Sequence, residues 1–174
     1  MTASRTADAA AVPPRREWPG PPEPTEAGAL ATDLILTTFR LNALLMEAAQ
    51  GLAAAGGLTA AWWQVLGGVL DQPRTVAEIG RRMGMTRQGV QRVADLLVDR
   101  RLAEYVPNPA HRRAKLLACT EAGYWAIRQI SVVQRPFVDR MGAELGADEV
   151  RQAVATLGRF VALLEGEHPV VGDS

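Results

Sequence analysis

The stretch from Thr75 to Arg101, TVAEIGRRMGMTRQGVQRVADLLVDRR, constrains the fold more than any other part of the chain. Thr75 is followed three residues on by Glu78, the spacing of a capping box that opens a helix. Gly84 breaks that helical pattern, and Thr86 caps a second run. Between them lies only the turn MGM at 83–85, and a turn this short folds one helix across the other. On the second run Val90, Val93, Leu96 and Leu97 are expected to face a small core. Arg87, Gln88, Gln91, Arg92 and Asp95 fall on the opposite face.

After Arg101 the period changes. LAEYV and AKLLAC are short, β-compatible runs flanking PNPAHRR, and they predict a two-stranded hairpin. Thr120-Glu121 opens a long helix that contains Pro136, where a kink is expected, and Gly146 ends it. A final amphipathic helix follows, with Val150, Val154, Leu157, Val161 and Leu164 in one stripe. Upstream, Ala27 to Ala55 holds no proline and carries a broad apolar face before Gly56-Gly57 stops it. Thr59 then caps TAAWWQVLGGVLDQ, which Pro73 should end. The predicted fold is mainly α, in the order α1-α2-α3-α4-β-β-α5-α6, with long terminal helices around a helix-turn-helix and hairpin.

Boundaries follow from composition. Residues 1–25 hold six prolines and little apolar content, so they are expected to be a disordered or polyproline-like tail, with Trp18 its one aromatic. The first helix occupies 26–57, the helix-turn-helix and hairpin 58–120, the last two helices 121–166, and a short tail 167–174.

The chain is neutral, with 19 basic and 19 acidic residues, but its charge is unevenly placed. Residues 81–115 hold nine cations and three acids, a net +6, leaving −6 for the rest. A basic segment on an acidic body, at a helix-turn-helix, is the footprint of a DNA-reading module. Arg and Gln pair bidentately with guanine and adenine edges, and a helix N-terminus such as that behind Thr86 receives a phosphate.

Other chemistry finds little support. Cys119 is the single cysteine, so neither a disulfide framework nor a cysteine zinc site is expected, and a reducing, cytoplasmic setting fits. No run approaches the ~18 uninterrupted apolar residues of a membrane span, and the N-terminus lacks the apolar core of a signal peptide. His111 and His168 are far apart, and neither a metal spacing, a Gly-rich phosphate loop nor a nucleophile motif is present. No enzyme activity and no cofactor are therefore expected.

From Leu58 to Gly123 the segments LTAAWWQVLGGV, TVAEIGRRMGMTRQGVQRVADLLVDRRLAEYV and NPAHRRAKLLACTEAG resemble those of MarR-family regulators. The resemblance implies a homodimer with a winged helix-turn-helix in each subunit, α1, α5 and α6 forming the dimer region. It places a recognition helix, 86–100, in the major groove of operator DNA, and a wing, 103–119, whose tip Arg113 enters the minor groove. The expected DNA contacts are Thr86, Arg87, Gln88, Gln91, Arg92, His111, Arg112, Arg113 and Lys115. His111 and Asn108 stand where the family commonly has aspartates, so the wing lacks the usual Asp–Arg pairing.

The resemblance further implies a repressor released by a small aromatic or phenolic ligand, with Phe39, Trp62 and Trp63 as candidate contacts. Adjacent residues on a helix diverge by about 100°, so one of the two tryptophans should be core instead. Two alternatives stand beside this reading. One is a winged helix that binds an acidic protein; the other is a ligand or redox sensor using Cys119 with weak DNA binding, although a small buried hydrophobe is the simpler role for that cysteine.

Overall fold

The computed structural model describes residues 14–17, 20–111 and 113–166. The chain divides into two units, 1–43 and 44–174. The helices are α1 Glu26–Ala53, α2 Ala60–Gly67, α3 Val76–Met83, α4 Arg87–Asp99, α5 Glu121–Leu145 and α6 Ala147–Gly166. Strands β1 Ala103–Val106 and β2 Leu116–Cys119 lie between α4 and α5. This is the expected mainly α order. In the Pro-rich stretch the described residues form one 3-10 turn, Arg15–Glu17, while Trp18 and residues 167–174, with His168, lie outside the described residues.

The helix starts follow local rules. Thr59, Thr75, Thr86 and Thr120 each cap a helix by accepting an N–H from the third residue on. At Thr75 the box is complete: Glu78 N–H donates to Thr75 Oγ1 at 3.3 Å, and Thr75 N–H donates to Glu78 Oε2 at 2.8 Å. Gly84 closes α3 in the left-handed region, with φ 63°. α5 continues through Pro136 as one element.

Two expectations need correcting. α2 stops at Gly67, short of Pro73, because Gly67-Gly68 ends it and residues 68–72 form turns and bends instead. Those turns deliver Arg74 to the hairpin: Arg74 N–H donates to Leu117 O at 3.1 Å, and Leu117 N–H returns to Arg74 O at 2.8 Å. The Arg74 guanidinium holds the turn by pairing with both oxygens of Asp71 and by donating to Gly68 O at 2.8 Å. Leu96, expected in the core, is 41% exposed. The buried stripe of α4 is Val90, Ala94 and Leu97, spaced i, i+4, i+7, and Leu96 falls outside it.

The core joins Val65 and Leu66 of α2, Ile79 of α3, that α4 stripe, Leu117 of β2, and Ala126 and Ile130 of α5. Each fully buried aliphatic side chain contributes about 1.5–3 kcal/mol, so this cluster fixes how α4 and the hairpin sit together. Many large apolar side chains remain outside it: Leu36 and Phe39 on α1, Val132 on α5, and Val154, Val161 and Leu164 on α6. A stretch of α1 is long and apolar enough by hydropathy to cross a membrane. Asp33, Arg40 and Glu47 nevertheless recur every seven residues along it, a charged stripe that costs about 2.5–3.5 kcal/mol per charge at a bilayer centre.

Candidate nucleic-acid interface

Helix α4 presents Arg87, Gln88, Gln91, Arg92 and Asp95 to solvent. At its start Thr86 Oγ1 accepts Gly89 N–H at 3.1 Å, which leaves the hydroxyl hydrogen available to donate. β1 and β2 pair antiparallel, with Ala103 opposite Cys119 and Tyr105 opposite Leu117. Between α4 and the hairpin lies a cleft of about 590 Å³, and Arg87, Gln91, His111, Arg113 and Lys115 all line it. Five of the expected contacts thus meet around one concavity. Gln88 and Arg92 are exposed on the same helix but do not line it. Arg112 lies outside the described residues.

The hairpin tip is shaped by Asn108. Its Oδ1 accepts Ala110 N–H at 2.9 Å, and its carbonyl accepts His111 N–H at 3.3 Å. Asparagine folds its own backbone in this way where an aspartate would otherwise serve. Ala114 N–H then donates to His111 O at 3.2 Å, completing the turn ahead of β2.

One group of residues was not expected. Tyr105 OH donates to Asp95 Oδ1 at 2.8 Å, and Gln91 Nε2 donates to Asp95 Oδ1 at 2.9 Å and to Tyr105 OH at 2.8 Å. The three side chains close a ring that ties α4 to β1. Partial burial and the Asp95 carboxylate push the Tyr105 phenol up to about 12, so it stays a donor. Lys115 Nζ sits 6.0 Å from the Tyr105 ring centroid, placing a cation over the same residue. The period-2 alternation of LAEYV carried a signal for this, since it puts Tyr105 on the face of buried Ala103.

The two candidate tryptophans have different surroundings. Arg100 lies 4.8 Å over the Trp62 ring, which ties that residue to the end of α4. Trp63 lines a separate apolar cavity of about 180 Å³ with Leu45, Ala48, Ala49, Leu52, Gln134, Phe137 and Val138. Phe39, in the first unit, is 68% exposed. Cys119 is half-buried, and burial pushes its thiol up to about 11, which keeps the reactive thiolate scarce.

The family model described as MarR matches residues 56–114. The uncharacterised proteins Rv2011c of Mycobacterium tuberculosis and Mb2034c of Mycobacterium bovis are each 37% identical over 136 residues, 78% of this chain and 95% of theirs. Among solved structures, CouR from Rhodococcus jostii RHA1 bound to p-coumaroyl-CoA is similar at TM-score 0.67 and 22% identity, covering 76% of this chain and 94% of that one. Staphylococcus aureus MarR in complex with salicylate and kanamycin is similar at TM-score 0.66 and 14% identity, covering 82% of this chain and 97% of that one. A model that spans the capped helix pair and the hairpin tip, and a fold shared over nearly the full length of these regulators, lead to one conclusion: the chain belongs to the MarR family of winged-helix transcription regulators, with the fold of a DNA-binding regulator.

Proposed function

We propose that this protein is a homodimeric, sequence-specific repressor that occupies operator DNA and is released by a small aromatic ligand. The cleft between α4 and the hairpin carries the proposal, because it gathers Arg87, His111, Arg113 and Lys115 beside the exposed face of α4. α4 would enter the major groove while Arg113 reaches the flanking minor groove, and Thr86 would donate to a phosphate. The exposed apolar faces of α1, α5 and α6 supply the dimer contact, which would hold two recognition helices about 34–36 Å apart. A cytoplasmic location accompanies this role.

The 180 Å³ cavity beside Trp63 supports the ligand part of the reading. Its size is near the ~150 Å³ of an apolar cavity that holds benzene, so it suits a single ring. The relatives that hold salicylate or p-coumaroyl-CoA point to the same chemical class.

The test is binding to fragments of the source genome as salt rises. A DNA reader selects one sequence and loses affinity steeply, with a log–log slope of about −0.9 per phosphate contacted. A shallow slope with no selected sequence would remove DNA reading and favour an acidic protein partner for the same cations.

A further inference from the structure

Glutamine usually reads adenine with both ends of its amide, donating to N7 and accepting from N6. The ring that Gln91 forms with Asp95 and Tyr105 prevents this. The Asp95 carboxylate only accepts, so it fixes the direction of every hydrogen bond in the ring. Tyr105 must give its hydroxyl hydrogen to Asp95 Oδ1, 2.8 Å away. Its oxygen then accepts from Gln91 Nε2 at 2.8 Å, and Asp95 Oδ1 accepts from the same nitrogen at 2.9 Å. A flipped amide would set its oxygen against the carboxylate, so the assignment has one solution. The nitrogen end of the amide is thus turned to the ring, and Oε1 is the end left for a partner.

We infer that Gln91 reads DNA as an acceptor alone, aimed by the positioning residues Asp95 and Tyr105, and so selects a base with an exocyclic amino group in the major groove: cytosine through N4 or adenine through N6. Guanine and thymine present acceptors at the corresponding places and are rejected. The inference rests on the proposed DNA reading and adds the base class to it. It also explains why the ring spans two elements. β1 sets the rotamer of a side chain on α4, so the hairpin's position enters base choice directly.

The test starts from the full-length protein and an operator selected from randomised duplexes. Gln91→Ala identifies the base pair whose preference depends on residue 91. Four duplexes differing only at that pair are then titrated. The wild type should favour C or A over G or T by about fivefold or more. Tyr105→Phe keeps the aromatic side chain but removes one acceptor of the amide nitrogen, so the preference should move toward A over C through bidentate pairing. Asp95→Ala removes the other acceptor and should move it the same way, which provides a second reading should either variant fold poorly. A wild-type preference for G or T at that pair overturns the inference, as does specific binding whose base preferences Gln91→Ala leaves unchanged everywhere. A protein that selects no sequence at all overturns the DNA reading, and this inference with it.

Discussion

Arg113 and Arg101 are both cations at turns, and the two turns ask different things of them. Arg113 lies in the hairpin-tip turn, exposed on the rim of the cleft. Arg113→Ala is expected to weaken operator binding mainly through AT-rich flanks, whose narrow minor groove attracts arginine; equal affinity for operators with AT-rich and GC-rich flanks in the wild type would remove that role. Arg101 sits just past α4 with φ 59°, where Leu102 N–H closes back on Leu97 O at 2.9 Å. That left-handed position suits glycine, and a side chain there costs about 1 kcal/mol. Arg101→Gly should therefore raise the urea midpoint by an equivalent amount, while removing one cation from the basic segment. The charge at this position was legible in the sequence. Its backbone strain was not, because no local pattern marks an arginine as left-handed.

Elements meet here at short-range fastenings. A Cβ on Gly123 would lie 2.1 Å from Leu102 O and 2.7 Å from Cys119 Sγ, so α5 rests directly on the base of the hairpin. Gly123→Ala should cost about 1–3 kcal/mol or more by calorimetric melting, with no gain in packing to offset it. The start of α3 has its own dependence on acid. The Arg74 guanidinium holds the Asp71 carboxyl well below its ordinary 3.8, and the Thr75 hydroxyl and N–H hold Glu78 below 4.5. Carboxyls lowered in the fold add stability that is complete above those ordinary values and disappears as pH falls through the folded ones. Asp71→Asn with Glu78→Gln should thus show a smaller loss of urea midpoint between about pH 6 and pH 3 than the wild type. The caps and the hairpin were readable because each obeys a rule spanning a few residues. The Arg74–Leu117 bridge was not, since its partners are distant in sequence and the run DQPR has no strand pattern. The Gln91–Asp95–Tyr105 ring escaped for a related reason: outward polar residues on α4 carry no mark of which neighbour they bond.

At the scale of the whole molecule the described surface is unusually apolar away from the basic cleft. Val154 and Leu164 on α6 are 66% and 65% exposed, where a chain acting alone would gain by placing polar groups. Val154→Asp with Leu164→Asp should shift the sedimenting species from dimer to monomer and weaken operator binding, because two half-sites are no longer held together. A wild type that sediments as a monomer would exclude that arrangement. The stripe itself was visible in the spacing of residues 150–164, but a repeat alone does not say whether a helix packs on its own chain or on another. The return strand of the wing has a different consequence. Leu117 gives both its backbone N–H and its C=O to Arg74, lies opposite Tyr105 of β1, and is buried, whereas the described hydrogen bonds of the tip close within three residues. A brief tryptic nick after Arg113 should therefore leave two fragments that travel together until denatured. Continuity of the polypeptide and integrity of the fold come apart at this hairpin tip, which makes it the natural position for new chain termini in a circular permutant.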